Sequence, residues 1–132
     1  MAAALTAIPG SSDVVDRGIV TYSYASKTDL LGVDPALLQS QGAVCGAVAE
    51  QMALGALSLA PLSQISVAIT GIAGPGGGTE DKPVGLVWFG VARRGHGSRT
   101  LERRFGDLGC DQVRHQSVLQ ALSLLRDEIR AL

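Results

Sequence analysis

Aromatic residues are scarce in this sequence: one Trp, two Tyr and two Phe in 132 positions. A core built from it must be aliphatic and rich in alanine. Cysteine is limited to Cys45 and Cys110, far apart and in no C-x-x-C pair. Met1–Ile8 has no basic, apolar leader pattern, so two lone thiols read as reduced and a cytoplasmic location is expected. No apolar run approaches the roughly 20 residues of a membrane span, so no membrane partner is expected. Neither sign of charge dominates, with a formal net charge of −1, which gives no electrostatic ground for a nucleic-acid partner. Histidine is limited to His96 and His115, neither with a second ligand at metal spacing, so no metal is expected. Spacing gives no support to a Ser-His-Asp triad, and Glu80, Asp81, Asp107 and Asp111 read as solvated loop carboxylates.

What is present is an ordinary globular balance, 46% hydrophobic and 17% charged, which excludes wholesale disorder. The length suits one domain spanning residues 1–132, with a real core and no inter-domain linker. Residues 1–7 read as a helix stopped by Pro9-Gly10-Ser11-Ser12. Arg17–Tyr24, with Ile19, Val20, Thr21, Tyr22 and Tyr24, reads as a strand. Short helical pieces follow at Lys27–Leu31 and Asp34–Gln39, the second with Asp34 as N-cap and Pro35 at N1. Cys45–Leu59 carries Val48, Met52, Leu54, Ala56 and Leu59 near helical spacing. Strands are expected at Ile65–Thr70, Val84–Ala92 and Arg99–Phe105, the last two joined by the turn Arg93–Gly97. Asp111–Leu132 is expected to be a helix burying Val113, Val118, Leu119, Leu122, Leu125, Ile129 and Leu132. The pattern is α/β, a mixed sheet covered by helices.

Two stretches carry the chemistry. In the first, a strand runs out into Thr70-Gly-Ile-Ala-Gly-Pro-Gly-Gly-Gly78, where five of nine residues are glycine. It fits neither a P-loop nor the dinucleotide fingerprint. Its free backbone N–H groups suit an anion-binding nest, and a surface hairpin loop is the plainer alternative. In the second, Val20-Thr-Tyr-Ser-Tyr-Ala-Ser-Lys27 gathers hydroxyls and a lysine at a strand end. Ser23 and Lys27 are four apart, the spacing at which helical side chains meet. A desolvated lysine loses its proton readily and can serve a hydroxyl nucleophile as base. The plainer alternative is an exposed lysine at a helix start. Arg93, Arg94, Arg99, Arg103 and Arg104 form a basic cluster interrupted by Glu102, read as a solvated strand face.

Pro9-Gly-Ser-Ser12, Arg17-Gly-Ile-Val-Thr-Tyr-Ser23 with Lys27, Gly42-Ala-Val44, and Thr70-Gly-Ile-Ala-Gly-Pro75 through Lys82-Pro-Val-Gly85 occur in order. Together they resemble the CinA C-terminal domain family, the nicotinamide-nucleotide amidohydrolases, over nearly the whole chain. The resemblance implies a three-layer α/β/α fold with a mixed, mostly parallel sheet. It implies hydrolysis of the amide of nicotinamide mononucleotide to nicotinic acid mononucleotide and ammonia, in pyridine nucleotide salvage, without metal or organic cofactor. It assigns Lys27 as base and Tyr22 as a proton-relay or orienting group; within residues 1–132 Ser23 is the candidate substitute nucleophile. Thr70, Gly71, Ala73, Gly74, Pro75, Gly76 and Gly77 line the substrate site in this reading, and Arg114 is a phosphate partner. The family's nucleophilic serine lies in a Glu-Ser-Cys-Thr-Gly-Gly segment that is not found in residues 1–132. On this pattern the chain begins after the family's first helix and strand, and its activity is expected to be impaired. A homo-oligomer completing the sheet is expected, and the alternative function is a non-catalytic nucleotide-binding module. Three departures stand out: Tyr24-Ala25-Ser26 replaces Asn-Glu-Ala, Cys45 replaces serine, and Gly106-Asp107-Leu108 replaces Gly-Asp-Arg.

Overall fold

A computed structural model describes all residues, Met1–Leu132. Helix α1 (Ala2–Thr6) and a 3-10 turn (Ser11–Asp13) lead into α2 (Tyr24–Leu31), α3 (Pro35–Gln41) and α4 (Gly46–Leu59). Strands β1 (Ile65–Gly71), β2 (Leu86–Arg93) and β3 (Gly97–Arg104) follow, and α5 (Cys110–Arg130) closes the chain. Asp34 caps α3 as its sequence predicts, its carboxylate accepting from the Ala36 N–H at 2.9 Å with Pro35 in the first turn.

The sheet has the order β1-β2-β3 and both pairings are antiparallel, which corrects the expectation of a mixed, mostly parallel sheet. Each strand reverses into the next through a loop or turn, whereas a parallel pair needs a crossover of a dozen or more residues. The segment expected to be a further strand, Arg17–Tyr24, joins no ladder. Its backbone makes no backbone hydrogen bond up to Tyr22, and Val20 and Tyr22 are exposed. β-branched residues favour a pleated surface with a neighbour to pack against, and no strand of this chain runs beside them. The segment is held instead by side chains. Arg17 Nη1 donates to the Leu59 carbonyl at 3.0 Å, and Ile19 packs into the core.

Register sorts the strands into two faces. Ser66, Ala68 and Thr70 of β1 align with Ala92, Gly90 and Trp88 of β2. This face is covered by α4, whose Val48, Ala49, Met52, Ala53 and Leu57 are buried. All but Ala49 join Leu31, Val33, Leu38, Ala68 and Ala92 in one cluster. On the other face Val87 and Phe89 pack against Val113, Ala121 and Leu124 of α5. Helices thus cover both faces of the sheet, the α/β/α layering expected. The buried side of α5 differs from expectation: it is Val113, Ser117, Ala121 and Leu124, while Leu119, Ile129 and Leu132 are exposed. Small residues at 117 and 121 let the helix lie close to the aromatic ring of Phe89. Leu124 joins them, while Leu119 and Ile129 turn to solvent.

Helix and sheet come into backbone contact at Gly90, where a Cβ would lie 2.1 Å from the Ala49 carbonyl oxygen. Arg94 fixes the far end of α4. Its Nη2 donates to the carbonyls of Leu57 at 2.8 Å and Ala60 at 3.1 Å, and its Nε to Ser63 at 2.9 Å. The Leu57 carbonyl belongs to the last turn and lacks a helical partner, since Pro61 has no N–H to offer it. No helix is long and apolar enough to cross a membrane. The Gly90 contact gives a first prediction. Gly90→Ala forces backbone against backbone and is expected to cost about 3 kcal/mol, read as a lower urea midpoint. An unchanged midpoint would show that α4 does not sit against β2 at this distance.

Candidate functional site

Helix α2 begins at Tyr24, three residues before its expected start, because of a reciprocal cap. Ser23 Oγ accepts from the Ser26 N–H and Ser26 Oγ accepts from the Ser23 N–H, both at 3.1 Å. This early start places Lys27 in the first turn and folds its chain back onto the segment preceding the helix. Lys27 is only 6% exposed, and its Nζ donates to the Thr21 carbonyl at 2.5 Å. Loss of hydration lowers its pKa from the ordinary lysine value. No carboxylate pairs with it. A buried amine with one neutral acceptor is a lysine that gives up its proton more easily than an exposed one.

The glycine-rich connection between β1 and β2 is a folded loop anchored at its stem. The Ile72 N–H donates to Leu86 at 2.9 Å, Gly85 to Ile72 at 2.7 Å, and Thr79 to Lys82 at 2.8 Å. Its two arms close on each other at Val84, where a Cβ on Gly74 would lie 2.6 Å from Val84 Cγ1. Gly74 and Gly77 adopt left-handed φ of 86° and 89°, a region costly for other residues. None of the N–H groups between Ala73 and Gly78 is used by a backbone partner within the chain. Ala73 packs toward the α5 side of the core, while Pro75, Gly76 and Gly77 form the exposed tip.

Several contacts gather around the carboxyl end of β1. Thr70, which is buried, donates through Oγ1 to the Ala43 carbonyl at 2.8 Å, tying the α3–α4 connection to the sheet. Lys82 Nζ contacts the Gln41 carbonyl at the end of α3. Lys82 Nζ and Tyr24 Oη both lie beside Gly42, 3.4 and 3.5 Å from where its Cβ would be. Tyr24 and Lys27 are three apart on α2, hence neighbours along its surface. The residues brought to one region are therefore Tyr24, Gln41, Gly42, Ala43, Thr70 and Lys82, with Lys27 one turn further along α2.

The other predicted site residues lie elsewhere. Tyr22 is 96% exposed and makes no hydrogen bond through its hydroxyl, and Ser23 Oγ is engaged as the helix cap. The ammonium of Lys27 points to Thr21 and not to Ser23. Arg114 is exposed on α5, in the layer across the sheet from Thr70. Tyr24 stands in the sequence only as one hydroxyl of the Val20–Lys27 cluster, and Gln41 and Lys82 are not among the expected site residues. The signal for Lys82 was the Lys82-Pro-Val-Gly85 run; Gln41 had none. No three His, Cys, Asp or Glu side chains gather at metal-binding spacing.

Two predictions follow from this geometry. Thr70→Val leaves the Ala43 carbonyl without its donor, for an expected loss of about 1–2 kcal/mol in thermal or urea unfolding. Lys27→Met tests the buried amine through pH. Below the lowered native pKa both folded and unfolded chains carry the proton, and the native state bears the desolvation cost. As pH rises through the native value towards 10.5, the native lysine deprotonates first and that cost disappears. The native chain is expected to gain stability relative to Lys27→Met across that window, and a constant difference between the two would refute the buried-amine description.

The CinA C-terminal domain matches residues 1–129. A CinA-like protein of Cyanothece sp. is 51% identical over 129 residues, covering 97% of this chain and 30% of that protein. A CinA-like protein of Mycolicibacterium vanbaalenii is 51% identical over 126 residues, covering 96% of this chain and 29% of that protein. The chain thus spans about three-tenths of the length of these relatives. The crystal structure of a competence/damage-inducible protein from Agrobacterium tumefaciens superposes with a TM-score of 0.92 at 47% identity, over 96% of this chain and 76% of that one. A competence damage-inducible protein from Klebsiella pneumoniae superposes at 0.90 with 35% identity, over 98% and 78%. With helices packed on both faces of a β1-β2-β3 sheet and a family match over residues 1–129, the chain belongs to the CinA C-terminal domain family.

Proposed function

We propose that residues 1–132 form one folding unit of an amidohydrolase acting on a pyridine mononucleotide. The reaction is nicotinamide mononucleotide and water to nicotinic acid mononucleotide and ammonia. The observation that carries this reading is Lys27: a desolvated amine, without a carboxylate partner, on the helix that reaches the Gly42–Thr70 region. In such a reaction a hydroxyl attacks the amide carbon while an amine accepts its proton. The amine returns that proton to the departing nitrogen, and water then releases the acid. Lys27 is suited to the amine's part. The unused N–H groups of residues 73–78 are suited to hold a phosphate or the developing oxyanion. Lys82 adds a positive charge on the loop.

The hydroxyl is the open element. Ser23 Oγ already serves as a cap, and the family resemblance assigns the nucleophile to the Glu-Ser-Cys-Thr-Gly-Gly segment. The reading therefore predicts weak ammonia release by the 132-residue chain, and robust release by a longer form carrying that segment in front. In the longer form Lys27→Ala is expected to reduce turnover by about 10²-fold or more. A longer form that turns over equally well without Lys27 would sink the assignment.

The second reading is a nucleotide-binding module without catalysis. What favours it is that the Lys27 ammonium is committed to Thr21 and meets no hydroxyl. Saturable calorimetric binding of the mononucleotide, with no ammonia released by either form, would select it. Both readings include a cytoplasmic homo-oligomer. Apolar side chains left at the surface, Leu30, Leu54 and Leu59 among them, support association. Sedimentation velocity is expected to show a species heavier than one chain.

A further inference from the structure

The five arginines of the β2–β3 hairpin are not equivalent. Arg94 donates to three carbonyls at and just beyond the end of α4. Arg99 pairs with Glu128 at 2.9 Å, Arg104 with Glu102 at 2.7 Å, and Arg103 donates to Gln120 at 3.0 Å. Arg93 alone has no hydrogen bond or ion pair through its side chain, and its Nε is buried without a partner. The residue is half-buried and Nε is its one enclosed donor; a buried N–H left unsatisfied costs about 1–3 kcal/mol, so native structures rarely carry one without a reason.

Arg93 lines a cavity of about 80 Å³ with His96, Gly97, Arg99 and Glu128. A single water needs roughly 10–15 Å³, so the space admits a larger guest. Its charge is unbalanced: two guanidiniums face one carboxylate, and that carboxylate is already paired to Arg99. Register places the cavity away from the candidate site. Arg93 pairs with Ile65 at the start of β1, five rows from the Thr70–Trp88 pair, or about 17 Å along the strand. Arg93 also alternates with Val91 and Phe89 on the α5 face, opposite Thr70.

We propose that this cavity at the β2–β3 turn is a second, independent anion site, which binds a small phosphate-class oxyanion through the Arg93 guanidinium. The planar guanidinium offers paired N–H donors that match two phosphate oxygens. Arg99, held in place by Glu128, adds a second positive charge to the cavity wall, and His96 flanks it in the turn. The lone carboxylate is occupied, so an incoming dianion meets a net positive surface.

The test follows the Arg93 Nε–Hε resonance in the labelled chain during titration with inorganic phosphate, sodium chloride holding the ionic strength constant. The peak is identified by its loss in Arg93→Met. A saturable phosphate shift is expected, and calorimetry is expected to show affinity reduced about tenfold or more in Arg93→Met. Arg93→Lys is expected to recover part of it, and Arg104→Met, at the other end of the hairpin, to bind as the native chain does. Replacing Arg93 removes an unpartnered charge, so the fold is expected to persist; the resonance titration of the native chain is in any case independent of the variants. A second titration with nicotinamide mononucleotide distinguishes the source: tighter saturation assigns a nucleotide phosphate, equal or weaker saturation assigns free phosphate. A shift no larger than chloride produces, or undiminished phosphate affinity in Arg93→Met, would overturn the proposal.

Discussion

Helix α4 approaches strand β2 so closely at Ala49 that residue 90 has no room for a side chain. The contact is possible because the covered face of the sheet is made of small residues, Ser66, Ala68, Gly90 and Ala92, framed by Trp88 against Gly46. Ser66 Oγ reinforces it by donating to the Ala53 carbonyl at 2.6 Å. Close packing of this kind maximises dispersion and leaves no gap that water would fill. It also sets the position of everything attached to α4. The α3–α4 connection is delivered to Thr70, α2 lies against α4, and the glycine loop leaves the sheet beside both.

The chemistry depends on that placement. Lys27 is dry because α2 is anchored: the helix starts at a reciprocal serine cap and ends where Leu31 meets α4 at Gly55. Its lowered pKa is thus a consequence of packing, since no neighbouring charge contributes. The loop's glycines act in two ways. Some allow its arms to meet at Val84, and the tip leaves N–H groups without internal partners. The hairpin arginines divide the same way between structure and surplus. Four have protein partners for their N–H groups, and the Arg93 side chain has none.

Much of the fold was legible in the residues. Asp34-Pro35 announced its helix, the apolar runs at 65–70 and 84–92 announced strands, and the Arg93–Gly97 turn announced a hairpin. The site was legible only in part. Lys27 and the glycine loop stood out by residue type, but Gln41 carried no signal of its own, because Tyr24 and Lys82 reach the Gln41–Gly42 backbone only in space. Arg17–Tyr24 read as a strand because strand propensity reports side-chain shape, whereas a strand exists only when another backbone pairs with it. On α5 the large leucines suggested the buried face, yet Ser117 and Ala121 occupy it, since proximity to Phe89 favours small side chains.

Local chemistry written in the sequence determined where helices start, where strands break, and which stretches bring amines, hydroxyls and glycines together. The motifs it carries were enough to identify the family. Tertiary structure decided the antiparallel order of the sheet, the burial of Lys27, the commitment of Ser23 to a cap, and the isolation of Arg93. These outcomes depend on which groups lose water and which find partners. That is settled by elements distant in sequence, and no window of neighbouring residues contains it.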